Sequence, residues 1–333
     1  MGKSEMNWEG IPVRMRKFSA VKGVGIVIFV VVAAVLFLAL SSTVYIAGDE
    51  VGIVQKKLLG RKLPAGQIIA VNGENGIQAD LLMPGWHFWK FPWMYRIDKK
   101  NDIQIKDGFV GLITAKDGLS LPPDTVYAPE WENPNRMTDA RYFLTEGRGF
   151  KGPQLTVLQP GNYKINTALF EIRPVPILNV EVGKVAVIKS NVGPRVETKG
   201  RLVPVGNRGV WDTPLSQGKY FYNTEAYEVT LIDTRQIKVS YTDETETGER
   251  KEGQSMRPID VRSQDGFTFP VDVRVTYQVE PQDAPNAVAM IGGDELILSK
   301  VVTPRVRAVF RNNAEKVKAL DYVKSRTAQQ NQG

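Results

Sequence analysis

GIQADLLMPGWH, residues Gly76–His87, returns as GPQLTVLQPGNY at Gly152–Tyr163 and, more loosely, as GVWDTPLSQGKY at Gly209–Tyr220. The two glycines of each copy are nine residues apart, and Leu82, Leu158 and Leu215 hold the same place between them. Pro84-Gly85 and Pro160-Gly161 are turn chemistry: proline fixes φ and glycine accepts φ > 0, as a type II turn requires. The aromatic residue two positions on starts the next strand. Ahead of each copy stands a short apolar run followed by a glycine turn: Val51–Val54 with Gly60, Val110–Ile113 with Gly118, and Val185–Ile188 with Gly193. Runs of this length bounded by glycine read as strands. Units repeated along a chain stack on their neighbours, so the body is expected to be a stack of antiparallel β-rich modules, at 48–105, at 106–180 and at the start of 181–313. The Pro-rich stretch Leu121–Lys151 reads as a loop inserted in the second unit.

Downstream the period changes. From Phe267 to Val279 every odd position is apolar, and Thr268, Pro270, Asp272, Arg274, Thr276 and Gln278 fill the even ones. That is a strand covered on one face, with Ile259 and Val261 as its hairpin partner across an Asp265-Gly266 turn. Asp283-Ala-Pro opens a helix that Gly292-Gly293 closes. A second, from Asp294, puts Leu298, Val301, Val302, Val306, Val309 and Phe310 on one stripe, with a kink expected at Pro304. A third segment, Ala314–Arg326, carries Val317, Leu320 and Val323 before a polar tail. The fold class is therefore α+β.

The 333 residues suffice for two or three domains, and 24% charged with 42% apolar residues is the composition of a folded chain. With no cysteine there is no disulfide, zinc finger or thiol nucleophile. Gly23–Gly48 contains no charge, and Val24–Ala47 is long enough to cross a bilayer. Tyr45 breaks the small-x-small pattern of a cleavage site, so 23–47 reads as a retained transmembrane anchor after a tail at 1–22. Arg14, Arg16, Lys17 and Lys22 favour a cytoplasmic N-terminus, although Lys56, Lys57, Arg61 and Lys62 nearly balance them. The formal charge of +7 suits anionic headgroups, and no nucleic-acid-binding module is present.

Trp86, Phe88, Trp89, Phe91, Trp93 and Tyr95 crowd one segment, MPGWHFWKFPWMYRI. A core strand, a ligand pocket and a membrane-interface surface all remain open for it. In an extended strand Trp86 and Phe88 share one face with Lys90, while Trp89, Phe91 and Trp93 share the other. One face would pack into the first module and the other would meet headgroups, where Trp and Tyr are favoured.

The anchor, VGIV followed by PGWHFWKFP, the segment IDVRSQDGFTFPVDVRVTYQVEP and the helix VVTPRVRAVFR occur in an order that resembles the SPFH (band 7) superfamily of stomatins, prohibitins and flotillins. The resemblance covers Gly48–Arg326, and KGPQLTVLQPGNYKIN is similar to bacterial flotillin-like members. It implies an α/β SPFH subdomain at 181–313 and a single-pass scaffold in the cell membrane. That scaffold assembles as a homo-oligomeric ring or cage, organises a membrane microdomain and, in several members, encloses or regulates a membrane protease. It also implies that the aromatic segment is membrane-proximal, with its six rings at the interface. Ala314–Arg326 has too few apolar positions to pack alone, so Val317, Leu320 and Val323 are expected to serve subunit contacts. Family members continue into a coiled coil, and here 314–333 is only the start of that helix. An anchored envelope or export adaptor is the competing reading.

An enzyme reading has little to stand on. His87 is the single histidine, no G-x-S-x-G elbow or phosphate loop occurs, and the acidic run Asp243–Glu249 reads as a solvated hairpin loop. No catalytic residue, metal ligand or cofactor is expected.

Overall fold

The computed structural model describes residues 14–197, 200–242 and 254–324, with side-chain surroundings in the first helix given from Gly25 onward. The expected tail at 1–22 is covered only from Arg14, and the acidic run Asp243–Glu249 lies outside the described residues. Helix α1 spans Arg14–Ser41, so it begins within the basic segment rather than at Gly23. Its side chains from Ile26 to Leu40 are exposed among the described residues, Phe29, Phe37 and Leu40 most of all.

Three modules follow with one wiring diagram. The first comprises β1 (Val44–Ile46), β2 (Glu50–Lys56), β3 (Ile69–Ala70), β4 (Gly76–Leu82), β5 (Gly85–His87) and β6 (Tyr95–Asn101). In the second, β7 (Ile103–Ile105) and β8 (Phe109–Ala115) precede the short helices α2 (Pro134–Thr138) and α3 (Ala140–Leu144), then β9 (Gly152–Leu158), β10 (Gly161–Tyr163) and β11 (Phe170–Pro176). The third holds β12 (Leu178–Val180), β13 (Lys184–Ser190), β14 (Leu202–Val203), β15 (Gly209–Trp211), β16 (Gly218–Tyr220) and β17 (Tyr227–Asp233). In each, the long second strand sits between the hairpin strand and the last strand, and the short first strand pairs with the short one after the second glycine. Ile103–Ile105 and Leu178–Val180 thus belong to the modules they precede, not to 48–105 and 106–180 as the sequence suggested.

The sequence repeat encodes this wiring. The first glycine of each copy, Gly76, Gly152 or Gly209, has φ of 108–133°, and the second, Gly85, Gly161 or Gly218, has 130–157°. The second value lies well past the roughly +80° of a type II turn. The Pro-Gly pair therefore leads straight into a strand: Gly85 faces Ile46, Gly161 faces Ile105 and Gly218 faces Val180. The side chain two residues after the first glycine caps that bend. Gln78 Nε2 donates to Glu74 O and Gly76 O, Gln154 Nε2 donates to Phe150 O and Gly152 O, and the Trp211 indole donates to Asn207 O.

The central strands VGIV, VGLI and VAVI are buried on both faces. Their second residue lies where the first strand of the same module crosses. A Cβ on Gly52 would stand 3.0 Å from Ile46 Cδ1, and one on Gly111 only 2.5 Å from Ile105 Cδ1. The third module carries alanine here, Ala186, and the crossing residue is the smaller Val180. Losing one methylene on the crossing strand makes room for one methyl on the central strand.

Neighbouring modules are stapled by buried amides. Asn166 is fully buried; its Oδ1 accepts from Ala168 N in its own turn and its Nδ2 donates to Gln78 O and Ala79 O of the first module. Asn223 repeats this one module on, donating to Gln154 O while accepting from Glu225 N and Ala226 N. Asp117 adds a clamp at the first seam, accepting from Ile68 N and Ile69 N at 2.6 and 2.8 Å.

The Pro-rich insertion is not a plain loop. Asn133 caps α2 ahead of Pro134, and Asp139 both ends α2 and caps α3. These caps let two very short helices persist, and Met137, Ala140 and Phe143 fill the first seam together with Ile69, Ala79 and Ile165. Arg141 grips Asp80 of β4 with two hydrogen bonds, at 2.7 and 2.5 Å.

In the last subdomain β18 (Ile237–Tyr241) pairs with β19 (Gln254–Met256) and with β22 (Val273–Tyr277), while β20 (Ile259–Arg262) forms a hairpin with β21 (Thr268–Val271). The alternation predicted for 267–279 is present, split at Asp272, except that Phe267 at the turn is exposed. Then come α4 (Ala284–Met290), α5 (Asp294–Ile297), a wide turn over Leu298–Val302, α6 (Thr303–Ala314) and α7 (Ala319–Lys324). Instead of a kink at Pro304 the helix widens ahead of it: Thr303 N bonds Leu298 O, five residues back. A wide turn of this kind accommodates a residue that has no N–H to give. Of the stripe, Leu298 is buried and Val302, Val306, Val309 and Phe310 are half-buried, but Val301 faces out.

Asp294 joins this subdomain to the third module. Its Oδ2 accepts from Asp233 N at the end of β17, whereas its Oδ1 is buried without a hydrogen-bond partner among the described residues. Burial pushes this carboxyl up, against the lowering effect of that hydrogen bond. The folded state thus holds this proton more tightly than the unfolded chain does. The penalty for ionising it is present at neutral pH and fades as pH falls through the raised folded pKa toward the ordinary aspartate range. Melting curves should show the wild type gaining on Asp294→Asn as pH is lowered over that window. A wild-type-to-variant difference that stays constant with pH would contradict the assignment.

A second expectation follows from the crossing pair. Gly111→Ala should cost roughly 1–3 kcal/mol by overpacking and Ile105→Val about 0.5–1.5 kcal/mol by loss of a methylene. The double variant should cost clearly less than their sum, because it rebuilds the Ala186–Val180 arrangement. Strict additivity in unfolding measurements on the full chain in detergent would rule this out.

Candidate functional site

The aromatic segment is the part of the molecule that packing does not explain. Only Gly85–His87 is strand, and the chain then leaves the sheet in a loop that returns at Tyr95. Trp86, Phe88, Trp89 and Trp93 are 66, 60, 71 and 55% exposed, while Phe91 and Tyr95 are half-buried. The expected two-faced strand does not form, and a core role is excluded by these exposures. The rings lean on each other instead: Trp89 on Phe91 at 6.2 Å, Phe91 on Trp93 at 5.8 Å, and Trp86 on Tyr45 at 5.0 Å. Trp89 has φ of 62°, a left-handed conformation that disfavours any residue with a Cβ by about 1–2 kcal/mol.

His87 serves structure. Its Nε2 lies 2.6 Å from Met83 O, and the hydroxyls of Tyr163 and Tyr220 donate to Gln159 O and Ser216 O in the same relation, four residues back. The third ring of the repeat is thus committed to closing its own turn.

The repeat also shows what the loop replaces. Counting from the second glycine, Lys90 stands where Asn166 and Asn223 stand, and Trp89 stands where Ile165 and Tyr222 stand. Asn166 and Asn223 grip the preceding module, Ile165 is buried against Ile69 and Ala79 of that module, and Tyr222 packs beside Leu155. Ahead of the first module stands α1 instead. There, Lys90 N donates to Ser42 O, one residue past the end of α1, at 2.8 Å. The surface that elsewhere mates with a module is here aromatic, exposed and tied to the end of an apolar helix.

Sequence reasoning missed several neighbours of this loop. Lys57 N donates to Met94 O and Lys57 Nζ to Pro92 O, which sets the exposed pair Leu58 and Leu59 beside the loop. Leu59 too has a positive φ, 61°. Tyr45 and Met83 complete the exposed apolar rim. The signal lay in KKLL, two apolar residues with no polar alternation at the end of a strand.

The other candidate residues lie at the opposite end of the chain. The helix expected over Ala314–Arg326 is broken: α6 ends at Ala314 and α7 begins at Ala319. Val317 is half-buried and its carbonyl accepts from Gln264 N, and Ala319 N donates to Asp265, so the break docks on the β20–β21 turn. Leu320 is 64% exposed, and the side chain of Val323 is outside the described residues.

Residues 178–332 match the model of the SPFH domain / Band 7 family. The chain carries an SPFH/band 7 domain. The matched segment opens at β12, so the SPFH domain comprises the third module and the helical subdomain, with α1 and the first two modules preceding it. The stretch that resembles flotillin-like members, Lys151–Asn166, falls ahead of the match. SPFH proteins are associated with membrane scaffolding rather than catalysis, and they typically oligomerise. No curated protein matches the chain. Among the described residues no helix is long and apolar enough to cross a membrane.

Replacing Trp86 or Trp93 by alanine should shift stability by less than about 0.5 kcal/mol, as for surface positions. Trp211, buried and hydrogen-bonded, should cost about 3–5 kcal/mol. Thermal melts of the four proteins check this, and a large loss for Trp86→Ala would return that ring to the core.

Proposed function

We propose that this protein is a single-pass membrane scaffold. Helix α1, with the basic segment before it on the cytoplasmic side, anchors it in the cell membrane, and the aromatic loop seats the first module in the headgroup layer. The SPFH domain, held off the membrane by the two lower modules, assembles with copies of itself into a ring or cage that organises a membrane patch and surrounds a membrane partner such as a protease. The observation that carries the reading is the substitution within the repeat. Where later modules present Ile165 and Asn166 to a neighbour, the first presents Trp89 and Lys90 beside the end of α1. Tryptophan is favoured at the headgroup level, where its ring is apolar and its N–H stays wet. The uncharged part of α1, from Gly23 to Ser41, supports the anchor.

The test uses the full chain, carrying Trp8→Phe, in vesicles whose zwitterionic lipid is brominated near the glycerol. Tryptophan fluorescence should be quenched, and changing Trp86, Trp89 and Trp93 together to Phe should abolish the quenching, leaving Trp131 and Trp211 emitting. Quenching that survives the triple change would remove the loop from the membrane. For assembly, Leu320→Asp should lower the number of subunits per particle seen by electron microscopy in detergent. Small discrete complexes in the wild type would favour the adaptor reading.

A further inference from the structure

We infer that the aromatic loop selects acidic lipid headgroups, with Lys90 and Lys57 as the recognising cations; this deepens the membrane reading above and rests on it.

Position 90 is where the repeat makes its contact with whatever lies below. In the second and third modules it is a short neutral amide, and what lies below is a row of backbone carbonyls. In the first module it is a lysine. Its backbone takes over the grip, on Ser42 O, which frees the side chain from that duty. The ammonium rests 5.1 Å from the centre of the Tyr95 ring, at the foot of the loop. A cation held on a ring face keeps its N–H donors available for a second, anionic partner.

Lys57 brings a second cation from another strand. Its Nζ donates to Pro92 O at 3.2 Å, between Phe91 and Trp93, which places the charge inside the aromatic rim instead of beside it. Neither lysine has an acidic partner among the described residues, whereas the nearby acids are already matched. Asp98 is paired with Arg96 at 3.1 Å, and Glu74 Oε2 accepts from Asn72 N at 2.8 Å. The surface thus combines exposed apolar rings, which enter the interface, with two unneutralised ammonium groups at their base, at phosphate depth. Neutral zwitterionic headgroups would satisfy the rings and leave the lysines unpaired. Phosphatidylglycerol-type or other acidic headgroups satisfy both.

The test again takes the full chain carrying Trp8→Phe, now in vesicles of mixed zwitterionic and acidic phospholipid in which either one class or the other is brominated at the same mole fraction. A lysine at the surface is worth about a fivefold enrichment of acidic lipid, so quenching by the brominated acidic lipid should exceed that by the brominated zwitterionic lipid about twofold or more. The excess should shrink in ~0.5 M salt, where charges are screened within a few ångströms. It should disappear in the Lys57→Gln, Lys90→Gln double variant, whose total quenching stays as before. A Lys219→Gln control, changed far from the loop on β16, should keep the excess. Equal quenching by the two lipids in the wild type overturns the headgroup selection while leaving the membrane reading standing. Absence of quenching by either overturns both. An excess that persists in the double variant assigns the selection to other cations and overturns the roles of Lys57 and Lys90.

Discussion

A buried carboxamide must satisfy its donors or forfeit the desolvation cost, about 1–3 kcal/mol for each unmade bond. Asn166 and Asn223 meet that demand in one way only, by holding their own turn with Oδ1 and reaching into the adjacent module with Nδ2. Everything else at the seams is consistent with that constraint. The glutamine at the accepting carbonyls, Gln78 or Gln154, caps its own bend, and Ile165, the apolar residue before Asn166, is buried with Ile69 and Ala79 of the neighbouring module. The modules therefore have a fixed mutual register rather than a merely greasy contact. The first module inherits the same loop with α1 ahead of it instead of a module, which is why its chemistry departs from that of its copies.

Much of this was legible in the amino-acid sequence because the repeat is written in residues with a single use. Glycines nine apart marked two positive-φ positions per module, and the runs VGIV, VGLI and VAVI marked central strands correctly. The odd-even pattern over 267–279 located β21 and β22 along with their buried face. What escaped reading depended on distance along the chain. Ile103–Ile105 and Leu178–Val180 are too short to announce which module they join; pairing partners nearly sixty residues away on one side and forty on the other decide it. The insertion looked like a loop because Pro134 and the flanking prolines dominate it, yet Asn133 and Asp139 turn those same residues into helix starts.

The site was half legible. The density of rings around Trp89 drew notice, but alternation arguments assumed a strand that stops at His87, since a tryptophan in a left-handed conformation cannot be foreseen from its neighbours. Lys57, Leu58 and Leu59 were invisible as parts of the site, being brought to the loop only by the β2–β6 register. The aromatic six divided into four exposed and two half-buried rings, a division that rests on the return path through Pro92.

The staples all point the same way along the chain. Asn166 reaches back 88 residues to Gln78, and Asn223 reaches back 69 to Gln154; in both, as with Asp117 on Ile68 N and Ile69 N, the later module supplies the side chain and the earlier one presents backbone groups. A module emerging from the ribosome thus needs nothing from those still to be made in order to present its half of the seam. Each newcomer finds its acceptors already fixed in a finished sheet. Synthesis order and assembly order coincide, so the column can be laid down from the first module onward, one course at a time, as larger chains tend to fold domain by domain. The SPFH domain, made after the two modules that precede it, settles onto a platform that is already complete.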